Sequence, residues 1–146
     1  MGQVYAGTER VLDAEPERVF DALADYQSTR QSLLPAQYSE YEVREGGKGA
    51  GTVVHWKLQA TESRVRDCLL SVTEPSPGRL VETDANSSMV TTWTVTPAGE
   101  GKSKVTVEAT WTGASGIGGF FERKFAPKGL NRLHDEVLGR LASSVA

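Results

Sequence analysis

The chain has 146 residues, 38% hydrophobic and 24% charged, a mixture that suits one globular domain and excludes an intrinsically disordered chain. Sixteen Lys and Arg against nineteen Asp and Glu give a formal charge of −3, which argues against a surface built to grip a nucleic-acid backbone. The single cysteine, Cys68, excludes an intrachain disulfide and a cysteine-based metal cluster. Residues 1–5 have neither the basic nor the apolar stretch of a secretory signal, and no apolar run approaches the roughly 20 residues that span a bilayer. The expectation is a cytoplasmic protein with no integral membrane association.

Residues 3–13 read as a first strand, rich in β-branched and aromatic side chains. In the following AEPERVFDALADY the period changes. Val19, Phe20, Leu23 and Tyr26 fall on one helical face, Pro16 suits the first turn, and Asp13 or Glu15 is placed to cap it. A second short helix is expected at 28–34, stopped by Pro35. Strands then follow near 38–46, 50–61, 63–74, 79–86, 89–97 and 103–112, joined by GGKGAG, a tight turn near Thr61 and Glu62, PSPG, NSS and PAGEG. Val54, Trp56 and Leu58 share one face of their strand; so do Met89, Thr91, Trp93 and Val95, and Val105, Val107, Ala109 and Trp111. The opposite faces carry His55, Lys57 and Gln59, then Thr92, Thr94 and Thr96, then Lys104, Thr106, Glu108 and Thr110. That alternation describes a sheet covered on one side and wet on the other. The strand at 63–74 is apolar on both sides, which leaves its inward face open. From Ser115 to the end the pattern is helical, with Leu130, Leu133, His134, Val137, Leu138 and Leu141 in one wide stripe. Pro127 separates this stripe from a second apolar set, Ile117, Phe120, Phe121 and Phe125, and leaves open one bent helix or two.

The stretches AEPERVFDALADY, EGGKGAGTVVHWKLQA, SVTEPSPGRLVE and GFFERKFAPKGLNRLHDEVLGRL, in this order, resemble the START-like helix-grip (SRPBCC) superfamily, in its polyketide cyclase/dehydrase and lipid-transport branch. The resemblance covers the whole chain as a single domain, 1–146. It implies an α+β helix-grip fold: a seven-stranded curved antiparallel sheet wrapped around a long C-terminal helix, with two short helices after the first strand. It also implies an elongated apolar cavity between sheet and helix, in a family that includes cyclases, lipid and hormone carriers, quinone-binding proteins and toxins. No catalytic motif of the family carries over residue by residue.

Within such a cavity the informative residues are the three tryptophans, Trp56, Trp93 and Trp111, each a rigid apolar surface with one N–H donor. Leu58, Met89, Thr91, Phe121, Phe125 and Leu130 complete the expected lining. His134 lies inside the apolar stripe of the last helix, placed either to bond a ligand and act as a base or to be satisfied in the core. Asp67 is a weaker acid/base candidate, since Arg64 and Arg66 beside it favour a surface pair. His55 is expected on the wet face, as are Glu82 and Asp84, and Cys68 reads as a structural thiol. GGKGAG lies between two strands and GASGIGG ahead of the last helix; neither sits in the βαβ setting a dinucleotide site needs, and the second suits a gate at the cavity mouth. Arg123, Lys124, Lys128 and Arg132 form a basic patch diluted by Glu122, Asp135 and Glu136.

Three functions fit: binding or transport of a hydrophobic small molecule such as a lipid, isoprenoid or polyketide; a polyketide cyclase or dehydratase using His134 or Asp67; or a toxin-type interaction through the surface. No metal or cofactor is expected, and monomer or homodimer is left open.

Overall fold

The computed structural model describes residues 3–61, 64–112 and 116–146, with side chains undescribed at 60, 61, 64 and 116–126. Strand β1 (Gln3–Leu12) is followed by helices α1 (Pro16–Ala24) and α2 (Thr29–Ser32). Six strands come next: β2 (Tyr38–Glu45), β3 (Val53–Thr61), β4 (Arg64–Ser76), β5 (Arg79–Asp84), β6 (Val90–Pro97) and β7 (Ser103–Thr112). Helix α3 (Gly116–Val145) closes the chain and runs through Pro127 as one element. The strands form one antiparallel sheet in the order β1-β7-β6-β5-β4-β3-β2, curved over α3 in the helix-grip arrangement.

Local chemistry explains the order. Pro16 sits in the first turn of α1, where no carbonyl needs its missing N–H. The expected side-chain cap is absent: Glu15 is the N-cap residue without a capping bond, and Asp13 pairs instead with Lys102 at 2.6 Å. Consecutive strands from β2 to β7 are joined by short connections, while β1 reaches β7 across the full length of the chain. In the β4–β5 turn Gly78 has φ +82°, and an added Cβ there would lie 2.7 Å from the Val95 carbonyl oxygen, so the turn depends on glycine. The GGKGAG connection is more than a hairpin turn. It docks on the end of α1, with Gly49 N–H donating to the Ala24 carbonyl and Gln27 N–H to that of Gly47. Register shifts between Ser39 and Glu42, with Glu40 at φ +52°, and between Thr73 and Ser76 bend the sheet around the helix.

The core lies between the concave sheet face and the helices. Val54, Trp93, Val95, Val105, Val107 and Ala109 face inward as their alternation predicts, against Val19 and Leu23 of α1 and Val137, Leu138 and Leu141 of α3. The open question at β4 resolves as Cys68, Leu70 and Val72 inward, with Val65 exposed. The described half of α3 is tied down by side chains: Arg18 donates to the Val145 carbonyl, Arg140 to that of Leu34, and the Thr8 hydroxyl to Asp135.

Candidate functional site

Five inward-facing strands and two helices meet around one small cavity. β2 supplies Tyr38, β3 Trp56 and Leu58, β4 Cys68 and Leu70, β5 Glu82 and Asp84, and β6 Thr91 and Trp93, with Met89 from the turn before it. Arg30 and Leu34 enter from the α2 region, and Leu130, His134 and Val137 from α3. The enclosed space is about 40 Å³, room for one or two waters.

Seven residues singled out from the sequence therefore stand together: Trp56, Leu58, Met89, Thr91, Trp93, Leu130 and His134. Trp111 is buried nearby, packed with Val4, Ala6, Ala109 and Leu130 rather than on the cavity wall. Phe121, Phe125, Arg123 and Lys124 lie outside the described side chains, and the proposed glycine gate at 113–119 falls on residues 113–115, outside the described residues, and on the start of α3, whose side chains are undescribed; Lys128 and Arg132 are exposed.

Asp67 is corrected. Its strand turns Cys68 and Leu70 inward, so Asp67 lies on the opposite face, where its carboxylate meets His55 Nε2 at 2.7 Å. This bond to His55 holds its carboxyl below the usual range. His55 keeps its expected face but is covered there rather than solvated, with Nδ1 against the Glu40 carbonyl.

β5 turns its carboxylates the opposite way from the expectation. Glu82 and Asp84, expected in solvent, point inward with Leu80 and are 2% and 8% exposed. Glu82 accepts three hydrogen bonds: from Arg30 Nη2 at 2.5 Å, from the Tyr26 hydroxyl at 2.5 Å, and from Trp93 Nε1 at 3.1 Å. Arg30 also donates to the Leu23 carbonyl. Its guanidinium is sandwiched between the rings of Tyr26 and Trp93, 4.7 and 4.5 Å from their centroids. Burial opposes its charge, and the Glu82 carboxylate beside it outweighs that and keeps the guanidinium charged. Asp84 caps the β5–β6 turn, accepting from Leu69 N–H, Asn86 N–H and the Ser87 hydroxyl. The signal in the sequence was Leu80, which shares parity with both carboxylates; nothing local pointed to Arg30.

The remaining wall is aromatic and neutral. Trp56 stands edge-on to Tyr38 and stacked on Tyr41, whose hydroxyl bonds the Tyr26 carbonyl. Burial, followed by the charge of Asp84, pushes the Cys68 thiol up to about 12, so it is no nucleophile at neutral pH. His134 sits edge-on to Trp93 with ring centroids 5.5 Å apart. Burial, aided by the Arg30 charge, pushes it down to about 4, which makes it a neutral imidazole near pH 7. Its Nδ1 and the Nε of Arg30 are buried with no hydrogen-bond partner among the described residues. Among the described residues no group of three His, Cys, Asp or Glu side chains is placed to hold a metal, and no helix is long and apolar enough to cross a membrane.

A curved sheet gripping a terminal helix around an aromatic cavity is the architecture of the START-like proteins. The chain belongs to the polyketide cyclase / dehydrase and lipid transport family, whose model matches residues 5–146. It is similar to the KanY protein (ms6282), known from a solution NMR structure, with 52% identity, 99% of each chain covered and a TM-score of 0.90. The fold is shared with a START superfamily protein from Mycobacterium smegmatis, at 10% identity, 99% and 97% coverage and a TM-score of 0.75. It is shared too with the Zhui aromatase/cyclase from Streptomyces sp. R1128, at 14% identity, 99% and 92% coverage and a TM-score of 0.70. No curated protein matches the sequence.

Proposed function

We propose that this chain binds a mostly apolar small molecule between the concave sheet face and α3, as a carrier or sequestering protein. The observation that carries this is the composition of the cavity wall. Trp56, Leu58, Leu70, Met89, Leu130 and Val137 offer apolar contact, while a few fixed polar groups gather near Arg30 and His134. Ligand pockets have this make-up, with burial of apolar area at roughly 25 cal/mol per Å² supplying affinity and the polar atoms supplying orientation. The space of about 40 Å³ is far below the roughly 300 Å³ of a typical ligand site. Binding therefore requires the wall to move. Met89 and Leu34 are only half-buried, and methionine repacks at low cost.

Native mass spectrometry of the protein purified from its own host tests this. A copurified lipophile, released on unfolding, is expected. A ligand-free mass together with failure to take up any apolar probe would reject it.

A second reading, an aromatase or cyclase, draws on the fold shared with the Zhui aromatase/cyclase and on His134, whose neutral imidazole is in the protonation state a base requires. In that case His134→Gln abolishes turnover while ligand binding survives. Asp67, on the other face, has no part in it.

A further inference from the structure

The charges on the cavity wall are already answered by the protein itself. Arg30 is held by Glu82 and the Leu23 carbonyl, and Glu82 has donors on both oxygens. Asp84 is occupied by two backbone N–H groups and Ser87. With His134 neutral, one cation faces two carboxylates, so the described wall carries an excess of one negative charge. Among the described residues of the wall, two fully buried polar atoms lack a partner, the Arg30 Nε–H donor and Nδ1 of His134; the Thr91 and Tyr38 hydroxyls on the same wall are uncharged and add no cation. A neutral imidazole has one donor and one acceptor nitrogen, and a hydroxyl, being both donor and acceptor, satisfies Nδ1 in either tautomer.

We propose that the cavity selects an uncharged ligand bearing a hydroxyl group, which pairs with His134, and rejects ligands that carry a carboxylate. This rests on the binding function proposed above and names its ligand class. A carboxylate entering here finds no unpaired cation: Arg30 has only its Nε–H left to offer, and its charge is already answered by Glu82. The ligand would bury its charge beside Glu82 and Asp84 and leave water to do so, a penalty that apolar contact does not recover. A hydroxyl brings no charge and relieves a buried nitrogen that otherwise lacks a partner. The Arg30 charge is thus a structural element of the wall and no anchor for an acid headgroup.

Three probes of one shape separate the possibilities: naphthalene, 2-naphthol and 2-naphthoate, each measured by equilibrium dialysis against the full chain at pH 7. We expect 2-naphthol to bind about tenfold more tightly than 2-naphthoate, and about fivefold more tightly than naphthalene. His134→Leu should bring 2-naphthol close to naphthalene, and His134→Gln, which keeps an amide for the hydroxyl, should retain part of the preference. If 2-naphthoate binds as tightly as 2-naphthol, or His134→Leu leaves the preference intact, the selectivity is overturned while the cavity remains a binding site. If none of the three binds, the binding function falls and the selectivity with it. The ratio between the two substituted probes on the unaltered protein decides the matter even where a variant fails to fold.

Discussion

Arg30 Nη2 lies 2.5 Å from Glu82 Oε2, and the two side chains are 1% and 2% exposed, so an ion pair joins α2 to the middle of the sheet inside the core. Removing one member strands the other in a low-dielectric interior. Arg30→Met or Glu82→Leu alone is expected to cost about 3–5 kcal/mol in urea unfolding, whereas the double variant should cost clearly less than the sum of the two. Additive losses would mean that the pair is not a coupled unit. Trp93→Phe keeps the ring over the guanidinium but removes one donor to Glu82, and about 1–2 kcal/mol is expected to be lost.

His134 gives the fold a pH signature. Its folded value is pushed down to about 4, against 6.5 for an unfolded imidazole, so the unfolded chain binds more protons between these limits. The contribution is fully present above pH 6.5 and is lost as the pH falls towards 4, amounting to roughly 3 kcal/mol. Denaturation of the native chain and of His134→Leu across this range should yield curves that diverge by that amount. Parallel curves would mean that His134 is solvated.

The wall must yield for a ligand to enter, so thinning it should help binding while harming stability. Leu58→Ala is expected to cost about 2–4 kcal/mol and to raise the affinity for 2-naphthol several-fold, because the deleted methyl groups leave space the native cavity lacks. Dialysis and urea unfolding on the same variant report both effects. A loss of affinity would place the ligand elsewhere.

Asp67 and His55 pair on the opposite face of the sheet, which makes Asp67→Ala a control. Its affinity for 2-naphthol is expected to stay within about twofold of the native chain, since exposed pairs couple weakly to distant sites. A large drop would mean that the outer face communicates with the cavity.

Much of this arrangement was legible in the sequence wherever polar and apolar residues alternate cleanly. In β3, β6 and β7 the parity of Trp56, Trp93 and Val107 settled the inward face, and the stripe through His134 settled the facing side of α3. β5 was misread because Leu80 and Val81 make both faces look apolar, and carboxylates are by default assigned to water. The burial of Glu82 depends on Arg30 and Tyr26, 52 and 56 residues away, and Arg30 lies in a short polar segment with no marker of its own. A buried ion pair is visible only when both partners are placed, and local periodicity places one strand at a time. Trp111 faced inward as expected yet missed the cavity, because its neighbours Val4 and Ala6 come from β1, at the sheet's edge.

A ligand that enters between Trp93 and α3 must disturb the indoles around it. The most direct measurement is a heteronuclear NMR titration with 2-naphthol, following the indole N–H signals of the three tryptophans. Saturable shifts are expected at Trp93 and Trp56, which line the cavity, with a smaller change at Trp111. Indole signals that stay fixed while surface amides move would contradict entry there.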